Sequence, residues 1–445
     1  MTDRRAKRYF VSTFGCRVNQ ADSQAIEHAL ESNRLDRTTS HHDADVVVIN
    51  TCTVTHRSDT DVRKLVHRIQ RDNPAAKIVV TGCYAERDPV ALEQLPGMSA
   101  VVGNAHKDEI ARIVDRVLVE EEASAPVVVH TAMESLARDE LPPVNPIASV
   151  VDRTRPFVKI QDGCDAACTY CVIPEVRGKA RSALPSRVVE VVESLVMQGY
   201  FEIVLTGVHL GTYGLGLPDE ETLEGLVRRV LAIAGLGRLR MSCIEPMAFP
   251  IALAQIAAED RKLAPHFHLP LQSGADRVLK RMARPYRAKD YAAILAEVKG
   301  ILPEACLGTD VIVGFPGETD DEFDETCRFV ESCGLDYVHV FSYSDRSGVP
   351  STRLPNKIDP RIIKERSTVL HEIGRSLWTR YLERQIGRTL DAVTIGRDLR
   401  RPRIIEALSE TYCPIDCEDP QLEPNRNVRF KIVERAGDRL LGLSA

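Results

Sequence analysis

Twice along this chain, short apolar runs of β type alternate with amphipathic stretches at helical spacing, and that rhythm limits the fold to parallel sheets with crossover helices. In the first block the runs are 8–12, 45–50, 77–81 and 100–103, with helical stretches at 21–31, 58–71, 89–95 and 107–120. In the second block the runs are 157–161, 202–206, 238–244, 266–271, 309–314 and 337–343. Helical stretches at 185–198, 222–234, 251–262, 289–301 and 321–333 separate them. Six β/α units predict an open, partial barrel rather than a closed eightfold one. At 445 residues and 44% hydrophobic content the chain can bury more than one core. The expected architecture is α/β: an N-terminal parallel α/β domain over 8–120, a linker over 121–153, a central partial (β/α)6 barrel over 154–382, and a small C-terminal β-barrel over 383–445. The linker holds Leu141-Pro-Pro-Val-Asn-Pro146, and a long helical stretch at 360–384 leads into the last domain.

In βα architectures chemistry gathers at the C-terminal ends of the strands, so the residues just after each run matter most. Twelve cysteines in a chain expected to be cytosolic point to metal or redox chemistry rather than disulfides. Cys164, Cys168 and Cys171 lie within eight residues, Gly163-Cys164-Asp-Ala-Ala-Cys168-Thr-Tyr-Cys171, directly after an apolar run. Three thiolates are one too few for a closed tetrahedral zinc site, and no fourth Cys or His stands at ligand spacing nearby. On a [4Fe-4S] cluster, three thiolates leave one iron free to chelate the amino and carboxylate groups of S-adenosylmethionine (SAM).

Cys16, Cys52 and Cys83 are far apart in sequence, yet each follows one of the first three apolar runs of the first block. In a parallel sheet such positions share one edge, so the three can converge, with Gly15 and Gly82 allowing close turns beside them. The alternative is three ordinary small buried residues. The other six cysteines stand where buried thiols are common; Cys413 and Cys417 form a CxxxC with no third partner nearby.

The CxxxCxxC loop at the opening of a sixfold β/α domain resembles the radical SAM superfamily. With the three-cysteine N-terminal domain and the terminal β segment, which resembles a TRAM domain, nearly the whole chain resembles the methylthiotransferase family. The resemblance implies two [4Fe-4S] clusters and SAM as cofactors. Cys164, Cys168 and Cys171 would hold the radical-generating cluster, and Cys16, Cys52 and Cys83 a second cluster whose open iron carries the sulfur to be delivered. It implies consumption of two SAM molecules, one for the methyl group and one for the radical. Cys16-Arg-Val-Asn-Gln20 and Leu205-Thr-Gly-Val-His-Leu-Gly211 look most like the branch that methylthiolates C2 of N6-threonylcarbamoyladenosine beside the tRNA anticodon. Sister branches act on isopentenyladenosine in tRNA or on a ribosomal-protein aspartate. Asp165, Ala166 and Ala167 depart from the branch, where an Asn and a larger or aromatic residue are more usual, and leave the ligands intact.

Further strand-end residues suit a SAM pocket: Thr206 and Gly207 for the methionine end, Glu245 and Gln272 for the ribose, and the Gly314 turn for the adenine. A structural hydrogen bond is an equal reading for Glu245 or His268 taken singly. Arg388, Arg397, Arg400, Arg401 and Arg403 suggest a phosphate-facing surface on the terminal domain, with an ordinary solvated face as the alternative. The net charge of -6 neither supports nor excludes nucleic acid. The expected partners are a tRNA, a flavodoxin- or ferredoxin-type electron donor and a sulfur source. Arg4, Arg5, Lys7 and Arg8 precede no apolar run of signal or membrane length, so a cytoplasmic protein without membrane contact is expected. The sequence does not fix the oligomeric state; a monomer is the favoured reading. A rival of another class is a non-catalytic RNA-binding protein stabilised by metal at both triads.

Overall fold

The computed structural model describes residues 6–120, 125–148, 154–398 and 400–444, so parts of the expected linker, 121–124 and 149–153, lie outside the described residues. The first domain is one parallel sheet in the order β2-β1-β3-β4-β5-β6. Its strands are β1 (Arg8–Thr13), β2 (Asp36–Arg37), β3 (Val46–Thr51), β4 (Lys77–Gly82), β5 (Met98–Val102) and β6 (Val127–Val129). Val46 and Val48 of β3 face one apolar layer with Ile26, Leu30, Ile110 and Val114, while Val47 and Ile49 face another with Val62, Val66 and Ile69. Burial on both faces explains why β3 reads as a continuous apolar run rather than an alternating one. The edge strand β6 comes from within the expected linker; its three valines pair parallel with β5.

Helix α1 (Arg17–Ser32) starts four residues before the stretch expected from periodicity, with Cys16 at its N-cap. Val18 is the one apolar residue of its first turn, so no apolar spacing marks its start, and the buried Asn19 is held by side-chain hydrogen bonds.

The second domain carries β7 (Phe157–Lys159), a short antiparallel pair β8 (Gln161–Asp162) and β9 (Arg181–Ser182), then β10 (Glu202–Thr206), β11 (Arg238–Met241), β12 (His266–His268), β13 (Cys306–Val313) and β14 (Tyr337–Ser342). Two parallel half-sheets, β7-β10-β11 and β12-β13-β14, are joined by the Leu239–Leu263 and Cys243–His268 bridges into six strands in sequence order. This is the open partial barrel that six units predict.

The helix Pro360–Glu383, capped by Asp359, is a spine: Leu370 and Leu377 lie in the central core, Tyr381 and Leu382 in the core of the last domain. That domain is a closed five-stranded barrel in the order β15-β16-β17-β19-β18. Its strands are β15 (Thr389–Asp398), β16 (Arg401–Ser409), β17 (Pro414–Glu418), β18 (Asn427–Ala436) and β19 (Arg439–Ser444). It docks on the N-terminal ends of β10 and β11, where the buried Arg240 bonds Glu202 at 2.8 Å and donates to the Ser409 carbonyl at 2.9 Å. Burial opposes the Glu202 charge, but Arg240, Arg155 and Arg238 bring the carboxyl down to about 2. Among the described residues no helix is long and apolar enough to cross a membrane.

Candidate active site

Cys164, Cys168 and Cys171 occupy the loop after β8. Gly163 makes that loop possible: at φ +73 it turns where a Cβ would lie 2.2 Å from the Lys179 carbonyl. The Cys164 amide then donates to the Gly178 carbonyl at 3.0 Å. The amides of Ala166 and Ile173 donate to the sulfurs of Cys164 and Cys171, each at 3.4 Å. Arg284, from beyond β12, donates to the Cys168 sulfur at 3.0 Å and pairs with Glu245. Three sulfurs, each with its own donor, form the setting in which protein hydrogen bonds tune an iron-sulfur cluster. Burial raises the Cys164 thiol to about 11 and the Cys171 thiol to about 12; a cationic centre held between them would draw them into the thiolate form.

The second triad is assembled by strand order. β1, β3 and β4 are neighbours, and Cys16, Cys52 and Cys83 follow them. Contact is close: a Cβ on Gly15, at φ +99, would lie 2.7 Å from Cys52 Cβ and 3.0 Å from its sulfur. Gly82, at φ +96, turns against the Thr51 backbone where a Cβ would sit at 2.5 Å. Asn19 ties the loops together, donating to the carbonyls of Phe14 and Thr51 at 2.8 Å each and standing 4.0 Å from Cys83 Sγ through its oxygen. Burial raises the Cys52 thiol to about 11, with the neighbouring Cys83 and Cys16 adding to the rise.

Neither triad brings its three sulfurs within 4.8 Å of one another among the described residues. A single tetrahedral ion gathers thiolates about that closely or closer. A four-iron cube holds its ligand sulfurs further apart than a single ion does.

Around the first loop, Thr206 ends β10 with its buried hydroxyl unpartnered. Gly207 packs where a Cβ would meet Leu210 at 2.8 Å and Gln161 at 2.9 Å. Gln272 takes φ +71, a conformation uncommon outside glycine, and inserts between the Asp310 carbonyl and the Ile312 amide at 2.8 and 2.9 Å. Gly314, at φ +76, turns against Ile363 of the spine helix, and its amide bonds Glu318 at 2.7 Å.

Toward the barrel interior stands a polar cluster that the sequence did not reveal as a unit. His268 bonds Asp310 and the Tyr337 hydroxyl, each at 2.9 Å, and Cys243 brings its sulfur within 4.8 Å of the same His and Asp. Burial opposes the Asp310 charge, but hydrogen bonds from His268 and His339 hold its carboxyl well below the usual range. Arg177, Arg284 and Asp310 likewise carry no local signal, because their partners are distant in sequence; Asn19 lies within the Cys16–Gln20 motif, but its bond to the Thr51 carbonyl is not legible there.

The five C-terminal arginines spread over the terminal barrel. Arg397 donates to the carbonyls of Asp419, Pro420 and Leu422 and so braces a loop. Arg401 faces Asp416 at 3.0 Å, Arg403 faces Glu418 at 3.8 Å, and Arg388 bonds Gln385 at 2.9 Å. Arg400 is exposed.

Comparison with known proteins gives these features a family. The profile described as Uncharacterized protein family UPF0004 matches residues 8–103, and that of the Radical SAM superfamily matches 158–330. The chain is 36% identical to the threonylcarbamoyladenosine tRNA methylthiotransferase MtaB of Bacillus subtilis (strain 168), over 86% of this chain and 83% of that protein. Identity to the protein of the same name from Aquifex aeolicus (strain VF5) is also 36%, over 91% of this chain and 95% of that one. A tRNA-2-methylthio-N(6)-dimethylallyladenosine synthase of Pelotomaculum thermopropionicum is 30% identical over 88% of this chain and 87% of its own. In fold, the chain resembles the radical SAM methyltransferase TsrM of Kitasatospora setae, solved with cobalamin and a [4Fe-4S] cluster: TM-score 0.57 at 14% identity, covering 78% of this chain and 74% of that one. A radical SAM barrel behind a three-cysteine α/β domain, with relatives of this similarity along most of its length, makes the chain a member of the radical SAM tRNA methylthiotransferase family, whose cofactors are SAM and [4Fe-4S] clusters.

Proposed function

We propose that the protein methylthiolates C2 of N6-threonylcarbamoyladenosine next to the tRNA anticodon, with two [4Fe-4S] clusters and two SAM molecules. The observation that carries this reading is the edge formed by Cys16, Cys52 and Cys83, with Arg17 directly behind Cys16, in a chain 36% identical to two relatives named for that nucleoside. Cys164, Cys168 and Cys171 would hold the cluster that binds SAM, and Cys16, Cys52 and Cys83 the second. When bound, these groups supply a 5′-deoxyadenosyl radical and the sulfur with its methyl group.

The chain's own residues orient and shield. Arg284 holds the Cys168 sulfur and Glu245 together at the rim; Thr206, Gly207, Gln272 and the Gly314 turn shape the SAM side. Reaching C2 requires the base to leave its stack, as for other enzymes that modify a base. Arg388, Arg400, Arg401 and Arg403 are the groups for RNA phosphates, while Arg397 acts through the loop it braces. A flavodoxin- or ferredoxin-type donor and a separate sulfur source complete the reaction, in the cytoplasm.

The 30% identical relative named for dimethylallyladenosine motivates a second reading, in which that nucleoside is the substrate. Anaerobic reconstitution, iron and sulfide counting, and assay on tRNA bearing each nucleoside decide between them. About eight irons per chain with product only on threonylcarbamoyladenosine is the expected result. Product only on dimethylallyladenosine reverses the branch. Cys16→Ala is expected to spare SAM cleavage and abolish methylthiolation; retained product in that variant would overturn the assignment of the second triad.

A further inference from the structure

Arg17 is the first residue of α1 and follows Cys16 directly. It is half-buried, and its Nη2 donates to the Tyr412 hydroxyl at 3.1 Å, linking the first domain to the last. Tyr412 in turn stacks on His266 and Tyr337 of the central strands, so Arg17 ends beside the barrel's own aromatic cluster. Other sheltered arginines of the molecule face carboxylates: Arg177 meets Asp22, Arg240 Glu202, Arg281 Glu322, Arg284 Glu245, Arg346 Asp59 and Arg366 Glu318. Arg17 pairs with none among the described residues.

Its holder is itself constrained. Tyr412 takes φ +69 at the tip of the β16–β17 turn, a left-handed conformation that a bulky residue keeps only when its surroundings impose it. Here its ring stacks on His266 at 4.0 Å and 11°, and its amide bonds the Ser409 carbonyl at 3.0 Å. The turn thus presents one hydroxyl to one guanidinium beside a candidate cluster ligand.

Two candidate nucleosides differ chemically where this matters. Threonine joined to N6 through a carbamoyl group keeps its carboxylate, whereas a dimethylallyl group is an uncharged hydrocarbon. In adenine only N1 separates C2 from the carbon bearing N6. A base that offers C2 to sulfur held by Cys16, Cys52 and Cys83 therefore carries its N6 arm along the same rim. We propose that Arg17, oriented by Tyr412, is the binding site for the carboxylate of the threonylcarbamoyl arm and sets the choice of substrate. A guanidinium matches a carboxylate with two parallel hydrogen bonds, and covering it with hydrocarbon would leave it unpaired. The inference rests on the threonylcarbamoyladenosine reading above.

The test is binding by fluorescence anisotropy of the reconstituted full chain to three anticodon stem-loops, which carry threonylcarbamoyladenosine, its carboxyl methyl ester, or dimethylallyladenosine. The wild type is expected to prefer the acid over the ester by about tenfold or more. Arg17→Gln should bind acid and ester alike, Arg17→Lys should keep part of the preference, and Tyr412→Phe should fall between. Because the ratio is taken within one protein, a variant with a reduced folded fraction leaves it unchanged. If the wild type prefers the acid and Arg17→Gln keeps that preference, the Arg17 assignment is overturned while the substrate reading stands. If the wild type prefers the dimethylallyl stem-loop, the substrate reading falls and the inference with it.

Discussion

Arg177 of the central domain lies 3.0 Å from the Asp22 carboxylate of the first, and both side chains are buried. Asp22 also takes Lys107 at 2.7 Å and Lys159, while Arg177 reaches Asp162 at 2.9 Å. Burial opposes the Asp22 charge, yet Lys107, Lys159 and Arg177 hold its carboxyl well below the usual range. The same Arg177 bonds Asn19, which stands beside Cys83, so the ion network that docks the two domains also braces the second cysteine triad.

Asp22→Asn is therefore expected to destabilise the docked domains by about 3–5 kcal/mol, because it takes away the carboxylate that Lys107 faces and leaves the buried Arg177 and the half-buried Lys159 to share Asp162. Thermal unfolding should show a first transition well below that of the wild type. An unchanged profile would mean that the cations redistribute onto Asp162 without cost.

Glu202 offers a pH signature. Its carboxyl lies at about 2 in the folded protein against an ordinary 4.5. A lowered folded value means that the stabilisation is complete above the unfolded value and is lost as pH falls through the folded one. The window is thus about 4.5 down to about 2, and the contribution is on the order of 3 kcal/mol. Glu202→Gln should lower the unfolding temperature of the cluster-free protein at neutral pH and flatten its fall over that window. An equally steep fall in the variant would assign the acid sensitivity to other carboxylates.

How much of this was legible depends on distance along the chain. β1, β3 and β4 announce themselves as apolar runs, and each cysteine follows its run directly, so the edge they share could be read in advance. β6 could not: three valines show no period, and only pairing with β5 makes them a strand. Arg240 sits in a run readable as a strand, but its burial against Glu202 is set by the docked terminal barrel. Arg284 and Cys168 are 116 residues apart, Arg17 and Tyr412 are 395 apart, and no local pattern connects either pair.

The Arg284 contact predicts a redox effect. A cationic donor on the Cys168 sulfur favours the more negative, reduced form of a cluster. Loss of one charge-assisted hydrogen bond of about 1.5 kcal/mol is worth roughly 60 mV in a one-electron couple. Arg284→Gln should lower the potential of the SAM-binding cluster by about that much in an EPR-monitored titration, made in a Cys16→Ala background to silence the second cluster. A potential that does not move would show that the Glu245 pair, not the sulfur contact, is what Arg284 serves.

Gly15 gives the sharpest test of the second triad. Its φ of +99 disfavours any side chain, and an added Cβ would lie 2.7 Å from that of Cys52. Gly199 has a similar φ of +88 but nothing within 4 Å of an added Cβ, so it isolates the backbone cost, about 1–2 kcal/mol, from the steric one. Gly199→Ala should lose that much stability and keep the full iron content. Gly15→Ala should displace Cys52 and roughly halve the iron of the reconstituted protein, while SAM cleavage at the Cys164 loop continues. Full iron in Gly15→Ala would mean that the loop relaxes around the methyl group, and Cys52 would then not be needed where it now stands.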